Sequence, residues 1–269
     1  MASIRKGRRV RKPGPNKQPK QPADPTPVPR HRKSVEPALA RSRAASKLPK
    51  KPKQPKEEGT AQVPKHAWWT IPRCWEGQDA FVICGGTSVT DEQLEMARHG
   101  NTICVNSAFK FAPWSDYLFF ADMRWWTLEL KNVVQVFEGS VITTSGKAMG
   151  FAKLHKLKRT SPGPGQGMGD GRQTVCLRRT SAHSAIEIAF KMGAARIFLL
   201  GIDNRGGEGG RDHRHEEYPW VRRSDQWTPK VEDLKHLAEE LKKHPVEVYN
   251  CSPISTLKYW PKVNLEDYI

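Results

Sequence analysis

Aromatic residues and cysteine are missing from the first 65 residues of the chain, which also contain only four acidic side chains. The same segment holds 19 of the 45 Lys and Arg and 12 of the 21 Pro, so its net charge is +15, while residues 66–269 carry only +2. Because it has little apolar surface to offset the entropy of an ordered chain, we predict that residues 1–65 form a disordered basic tail. The tail is either a solubilising linker or a contact for nucleic acid or another polyanion, and without aromatic side chains it offers no base stacking.

The chain also lacks an apolar segment of signal-peptide type at its N-terminus, any 18-residue apolar run and any CxxC pair. The first two absences predict a soluble, cytoplasmic protein with no membrane span. The five cysteines are scattered, and Cys84, Cys104 and Cys251 lie in or directly after apolar runs. We therefore predict buried thiols rather than a disulfide framework or a zinc–cysteine site.

Residues 66–269 alternate between short apolar runs and amphipathic segments, which predicts one α/β domain. The predicted strands cover residues 81–84, 102–106, 116–122, 133–137, 141–144, 196–203 and 246–250, and the predicted helices cover residues 90–98, 123–131, 180–192 and 228–244. Continuous apolar strands between helices are typical of a mostly parallel, Rossmann-like sheet with helices on both faces. In such a sheet, Trp125 and Trp126 are predicted to pack in the core rather than to stack on a ligand.

Two glycines follow the first strand, at Gly85 and Gly86, and a helix start follows at Thr90. This arrangement either binds a phosphate at the helix N-terminus or is only a tight turn between strand and helix. The glycine-rich segment at residues 161–172 lacks the Gly-Lys-Ser/Thr ending of a P-loop, so we predict a mobile loop or lid, or plain disorder.

Polar residues end several of the predicted strands. Asn106, Asp122 and Asp203 each close one strand, and Asn250 and Ser252 follow the last. Because ligands of parallel sheets bind at the carboxyl ends of the strands, we expect these side chains to meet at one edge. Polar residues are also usual wherever a strand passes into a loop, so the pattern alone leaves both interpretations open.

Several segments, in this order along the chain, resemble two related groups of proteins. They are Ile83-Cys-Gly-Gly-Thr-Ser88, the strand end at Asn106, Thr180-Ser-Ala, Arg196-Ile-Phe-Leu-Leu-Gly-Ile-Asp203 and Val248-Tyr-Asn-Cys-Ser-Pro253. One group is the bacterial lipo-oligosaccharide sialyltransferases, and the other is the hydroxymethylpterin diphosphokinase-like proteins, which include many phage and prophage chains. The resemblance covers roughly residues 78–265, and the phage-type members look most similar.

The resemblance implies a nucleotide-binding transferase that uses no metal. Its donor, a CMP-sugar or another nucleotide-activated sugar, would then be a substrate, with no cofactor required and with an acceptor that the resemblance does not name. The residues that match the donor site are Gly85, Gly86, Ser88, Asn106, Thr180, Ser181 and Asp203, and we add Asp122 from its place at a strand end. The turn departs from the family pattern, which has asparagine before the second glycine and proline after it, whereas this chain has Gly85 and Thr87.

The loop after Asp203 carries the candidate catalytic groups, since a histidine base lies in a comparable loop in the family. Either His213 or His215 suits a general base that removes the proton of an acceptor hydroxyl. Arg211 or Arg214 is a candidate partner for the departing phosphate. Two alternatives remain: a divalent metal held by the histidines with an acid at 212, 216 or 217, which we do not favour, and a solvated charged loop.

The leading hypothesis is therefore a sialyltransferase-like transferase of phage type. A second hypothesis is a non-catalytic module that its basic tail tethers to nucleic acid or to a phage assembly. A third is diphosphate transfer to a pterin-like acceptor, which the second group suggests.

Overall fold

The computed structural model describes residues 67–161, 163, 165–206, 211–215, 218–219 and 227–269. The predicted tail, residues 1–65, lies outside them. The strands are β1 (Asp79–Ile83), β2 (Asn101–Val105), β3 (Tyr117–Phe120), β4 (Ser140–Thr143), β5 (Leu154–Lys156), β6 (Lys158–Thr160), β7 (Thr174–Cys176), β8 (Arg196–Leu200) and β9 (Glu247–Asn250). The helices are α1 (Asp91–Ala97), α2 (Met123–Val136), α3 (Ser181–Lys191) and α4 (Trp227–Leu241).

Seven of these strands form one sheet in the order β5-β4-β3-β2-β1-β8-β9, and β6 pairs separately with β7. Every pairing is parallel. The chain adds strands outward from β1 to β5 and then returns to the other side of β1 with β8. The strand order therefore reverses between β1 and β8, and loops that leave these two strands diverge to open a crevice at their carboxyl ends.

Helices cover both faces of the sheet. Ala80 and Val82 of β1 pack in one core with α3 and α4. Phe81 and Ile83, which alternate with them, pack in a second core with α1 and α2. The predicted fold class, a mostly parallel Rossmann-like sheet between two helical layers, is thus confirmed.

Local capping explains where two helices begin and end. The Thr90 side chain accepts a hydrogen bond from the Gln93 amide, and the Gln93 side chain accepts one from the Thr90 amide, which is a complete capping box. Helix α3 is followed by Gly193 with φ +96°, as the sequence predicted for its C-terminal cap. Among the described residues, no helix is both long enough and apolar enough to cross a membrane.

The strand predicted at 133–137 is wrong. Helix α2 continues to Val136, because its buried residues Trp125, Trp126, Glu129 and Val133 recur at helical rather than strand spacing. Strands β5, β6 and β7 were not predicted. All five cysteines are free, and the four other than Cys74 are buried.

Candidate functional site

A cavity of about 470 Å³ opens at the carboxyl ends of the strands, where the strand order reverses. Nine of the ten predicted site residues line this cavity: Gly85, Gly86, Asn106, Asp122, Thr180, Ser181, Asp203, His213 and His215. Ser88 does not line it. Residues from six separate parts of the sequence therefore meet at the strand ends, where ligands of a parallel sheet bind.

The floor of the cavity is a contact between two backbone turns. The Gly86 amide donates to the Gly201 carbonyl at 3.0 Å, and the Cys84 amide donates to Leu200 at 2.8 Å. A Cβ on Gly86 would lie 2.4 Å from the Gly201 carbonyl oxygen and 2.5 Å from Asp203 Oδ2. The second glycine of the turn is thus required by close packing against β8.

Asp203 is a structural partner of this turn as well as a wall of the cavity. Its carboxylate accepts hydrogen bonds from the Ser88 amide, at 3.1 Å, and from the Ser88 hydroxyl. Ser88 therefore holds the Asp203 carboxylate in place without itself lining the cavity. Ser252, also expected at this edge, accepts a hydrogen bond from the Ile202 amide at 2.9 Å and so supports the same turn.

Two asparagines of the cavity wall have strained backbones. Asn106 has φ +50° and Asn204 has φ +48°, and among the described residues they are the only residues other than glycine with positive φ. Both also carry a buried amide atom to which no described residue provides a hydrogen-bond partner, Oδ1 in Asn106 and Nδ2 in Asn204. Strain and unsatisfied polar atoms concentrate at functional sites, and here both fall on one cavity. The sequence predicted Asn106 but not Asn204.

The N-terminal end of α3 faces the cavity through Thr180, Ser181 and Ala182. Thr180 is the N-cap residue, yet its side chain makes no capping hydrogen bond. The first amides of a helix and its dipole favour an anion at this end. Arg179, beside it on the cavity wall, is held by Asp233, which accepts from its guanidinium at 3.3 Å.

Asp122 caps α2 and accepts a hydrogen bond from the Arg124 amide at 2.8 Å. The Arg124 guanidinium also hydrogen-bonds this carboxylate, which lowers the pKa of Asp122. Both side chains line the cavity, so Asp122 presents an ion pair rather than a lone carboxylate. Cys84 lies nearby, and burial together with the charge of Asp203 raises the pKa of its thiol to about 12, so it stays protonated.

The histidine pair lies over the glycine turn. The His213 and His215 rings stack with centroids 4.5 Å apart, and the Tyr218 ring meets both of them. A Cβ on Gly85 would lie 3.1 Å from His215 Nε2 and 3.4 Å from His213 Nδ1. The Arg214 amide donates to the Gly85 carbonyl at 2.9 Å, which holds the loop in this position.

The arginines nominated for phosphate binding do not line the cavity. The Arg214 guanidinium binds the Val89 carbonyl and Asp91, and Arg211 binds the Arg214 carbonyl. Of the described residues, the Lys and Arg side chains on the cavity wall are instead Arg124, Arg179, Arg205 and Lys230. Sequence reasoning missed these four because none of them stands at a strand end.

Other expectations have mixed outcomes. Trp125 and Trp126 are buried as predicted, but Trp125 also lines the cavity, and its indole N–H donates to Ser107 Oγ at 2.8 Å. Within residues 161–172, those described contribute nothing to the cavity wall, and the Gly169 amide is bound by Glu187 instead. Among the described residues, no three His, Cys, Asp or Glu side chains are grouped as a metal site would need, and Glu216 and Glu217 lie outside that part of the chain.

No protein-family model and no curated protein matches the chain. Among solved structures, the MAf glycosyltransferase from Magnetospirillum magneticum AMB-1 is 14% identical with a TM-score of 0.52, over 76% of this chain and 37% of that one. The sialyltransferase CstII from Campylobacter jejuni with CMP-3FNeuAc is 12% identical with a TM-score of 0.42, over 69% of this chain and 85% of that one. CstII with a trisaccharide acceptor and CMP is 14% identical with a TM-score of 0.41, over 66% and 83%.

The chain spans little more than a third of the MAf structure. At this identity the likeness establishes a shared fold, and the CstII likenesses are too weak to add to it. The chain thus shares its fold with the MAf glycosyltransferase. The relationships to the diphosphokinase-like proteins and to phage proteins stay predictions.

Proposed function

We propose that the chain is a glycosyltransferase that moves a sugar from a nucleotide-activated donor to an acceptor hydroxyl. One observation carries the proposal: a single cavity, at the point where the strand order reverses, is lined both by the N-terminal end of α3 and by the His213–His215 pair. The first suits an anionic leaving group and the second suits a proton acceptor. The cavity volume of about 470 Å³ lies in the range of small-ligand sites.

The donor phosphate is placed at the α3 end of the cavity in this proposal. Arg179 and Ser181 lie together there. Arg205 and Lys230 also line the cavity, and the Lys230 ammonium lies 4.5 Å from the centre of the Trp227 ring. These groups neutralise the charge that develops on the departing nucleotide, so the proposal does not require a divalent cation.

His213 is proposed as the general base. His215 is the more buried of the two rings, with 7% of its surface exposed, and lies against Gly85, whereas His213 is only partly buried. A ring nitrogen of His213 takes the proton of the acceptor hydroxyl while that oxygen bonds to the anomeric carbon of the sugar. The bond between the anomeric carbon and the phosphate oxygen breaks at the same time, and the nucleotide leaves with the bonding electron pair. His215 positions His213 by stacking on it.

Substitution of each histidine by alanine tests these roles. His213→Ala is expected to lower turnover by about 100-fold or more and to leave the nucleotide dissociation constant within about threefold, because the base acts on the acceptor. His215→Ala is expected to lower both turnover and thermal stability, because it removes a buried ring. The measurements are the rate of nucleotide release, calorimetric binding and the melting temperature of each variant. Equal losses of affinity and turnover in His213→Ala would contradict its role as a base.

A second candidate function rests on charge. The net +15 of residues 1–65 suits a tether to nucleic acid, with the folded domain as a non-catalytic module. Such binding weakens steeply as salt rises, so a salt titration of duplex-DNA binding tests it. Binding that does not change between low and physiological salt counts against this function.

A further inference from the structure

Asn204 lies just past the carboxyl end of β8, on the wall of the cavity, with φ +48°. Residues other than glycine pay a steric cost in this left-handed region, although asparagine tolerates it better than most. A glycine would adopt the same backbone conformation freely. The backbone conformation alone would therefore favour glycine at position 204 and does not explain the asparagine.

The surrounding chain holds this backbone conformation without help from the Asn204 side chain. Three successive carbonyls accept hydrogen bonds from one downstream segment. Ser255 Oγ donates to Ile202 at 2.7 Å, the Thr256 amide donates to Asp203 at 3.0 Å, and Thr256 Oγ1 donates to Asn204 at 3.0 Å. Strain persists where neighbouring structure over-determines the backbone in this way.

The side-chain amide of Asn204 differs from these hydrogen-bonded backbone carbonyls. The residue is 92% buried, since 8% of its surface is exposed, and its Nδ2 has no hydrogen-bond partner within the part of the chain that the structure describes. A buried N–H group without an acceptor carries a desolvation penalty, and a ligand that supplies an acceptor removes this penalty when it binds. Asn204 lines the cavity, and because the terminal torsion of asparagine is soft, its amide can rotate to meet an acceptor on a bound ligand.

We infer that Asn204 is a specificity-determining residue of the cavity, whose Nδ2 donates a hydrogen bond to an oxygen of the bound donor. This inference rests on the proposed function, which identifies the ligand as a nucleotide-activated sugar. It adds that Asn204 contacts this ligand and that Asn204 is the hydrogen-bond donor in the contact. An N–H donor selects an oxygen acceptor such as a carbonyl, a hydroxyl or a carboxylate and rejects a cationic group at that point.

Two substitutions in the full-length chain test the inference. Asn204→Gly removes the amide and relieves the strain, so the melting temperature without ligand is expected to rise by about 1–3 °C. The probes are CMP, UDP, GDP, ADP and their sugar conjugates. For the probe that binds the unsubstituted chain best, the dissociation constant is expected to rise about tenfold in Asn204→Gly. Asn204→Asp keeps the shape but replaces the N–H donor with a carboxylate, so it is expected to weaken binding at least as much.

The results that overturn the inference are distinct. A lower melting temperature in Asn204→Gly shows that the amide stabilises the fold itself. An unchanged dissociation constant in Asn204→Gly, or tighter binding in Asn204→Asp, shows that no donor oxygen meets this N–H. If the unsubstituted chain binds none of the probes, the proposed function fails and this inference fails with it, whereas equal binding by the unsubstituted chain and Asn204→Gly overturns the inference alone.

Discussion

At the scale of single residues, Gly86 is the position where two turns of the backbone come closest together. A methyl group there would lie 2.4 Å from the Gly201 carbonyl oxygen and 2.5 Å from Asp203, and neither the backbone nor the anchored carboxylate can move aside freely. Gly86→Ala is expected to lower the free energy of unfolding by about 1–3 kcal/mol, as overpacking does elsewhere. Denaturant unfolding monitored by tryptophan fluorescence measures this change.

Gly146→Ala is the matched control for this substitution. Its added Cβ meets nothing within 4 Å, and its φ does not lie in the left-handed region. The control is expected to leave the free energy of unfolding unchanged or slightly raised. If both variants lose the same stability, the close approach at Gly86 is not what requires a glycine there.

His183 of α3 is a titratable side chain in the interior of the domain. Its side chain is fully buried, and neither ring nitrogen has a hydrogen-bond partner among the residues that the structure describes. Burial, aided by the nearby charge of Arg178, lowers the pKa of His183 from 6.5 to about 3. The unfolded chain therefore takes up a proton below about pH 6.5 that the folded chain does not, so stability falls as the pH drops from about 6.5 towards 3.

The slope that His183 contributes is about 1.4 kcal/mol per pH unit in this window. We expect the stability difference between the unsubstituted chain and His183→Gln to shrink by about 2 kcal/mol between pH 7 and pH 5, as measured by urea unfolding. His99→Gln, on the surface, is the control for loss of a histidine. Parallel pH curves for the unsubstituted chain and His183→Gln would show that His183 titrates alike in both states.

At the scale of elements, sequence patterns predicted the segments with strong local signals. The strand at 196–203 and the helix at 180–192 were found because their apolar residues are continuous in one and recur at helical spacing in the other. Helix α1 was found from its capping residues around Thr90. The segment 133–137 was misjudged because a short apolar run fits the end of an amphipathic helix as well as a strand.

Strands β5 and β6 could not have been found in this way. Leu154–Lys156 and Lys158–Thr160 are three residues each and have no apolar alternation. They are strands because neighbours supply the pairing: β5 pairs with β4, and β6 pairs with β7. Such pairing depends on the tertiary fold, which local propensity does not contain.

Some residues of the candidate site could likewise be predicted from the sequence and others could not. Strand ends predicted most of the cavity wall, since parallel strands bring their carboxyl ends to one edge. Asn204 was missed because a backbone torsion is not visible in a sequence. Arg179 and Lys230 were missed because Arg179 directly precedes the N-cap of α3 and Lys230 lies in α4, so neither follows a strand.

At the scale of the whole molecule, the chain consists of two segments that differ in net charge. Residues 66–269 are nearly neutral and include a parallel sheet with a cavity at its reversal point, while residues 1–65 carry a net charge of +15. The cavity supports the transferase proposal and the tail supports the tether proposal. The two proposals rest on different segments of the sequence, so one does not exclude the other.

The most direct test of the central claim is calorimetric titration of the full-length chain with CMP, UDP, GDP, ADP and their sugar conjugates, with and without Mg²⁺ or Mn²⁺. A nucleotide-sugar transferase is predicted to bind one base in preference to the others with a stoichiometry of one, and to do so without added metal. Absence of binding to every nucleotide, alongside salt-sensitive binding to duplex DNA, would contradict the claim and leave the chain as a tethered module without a donor site.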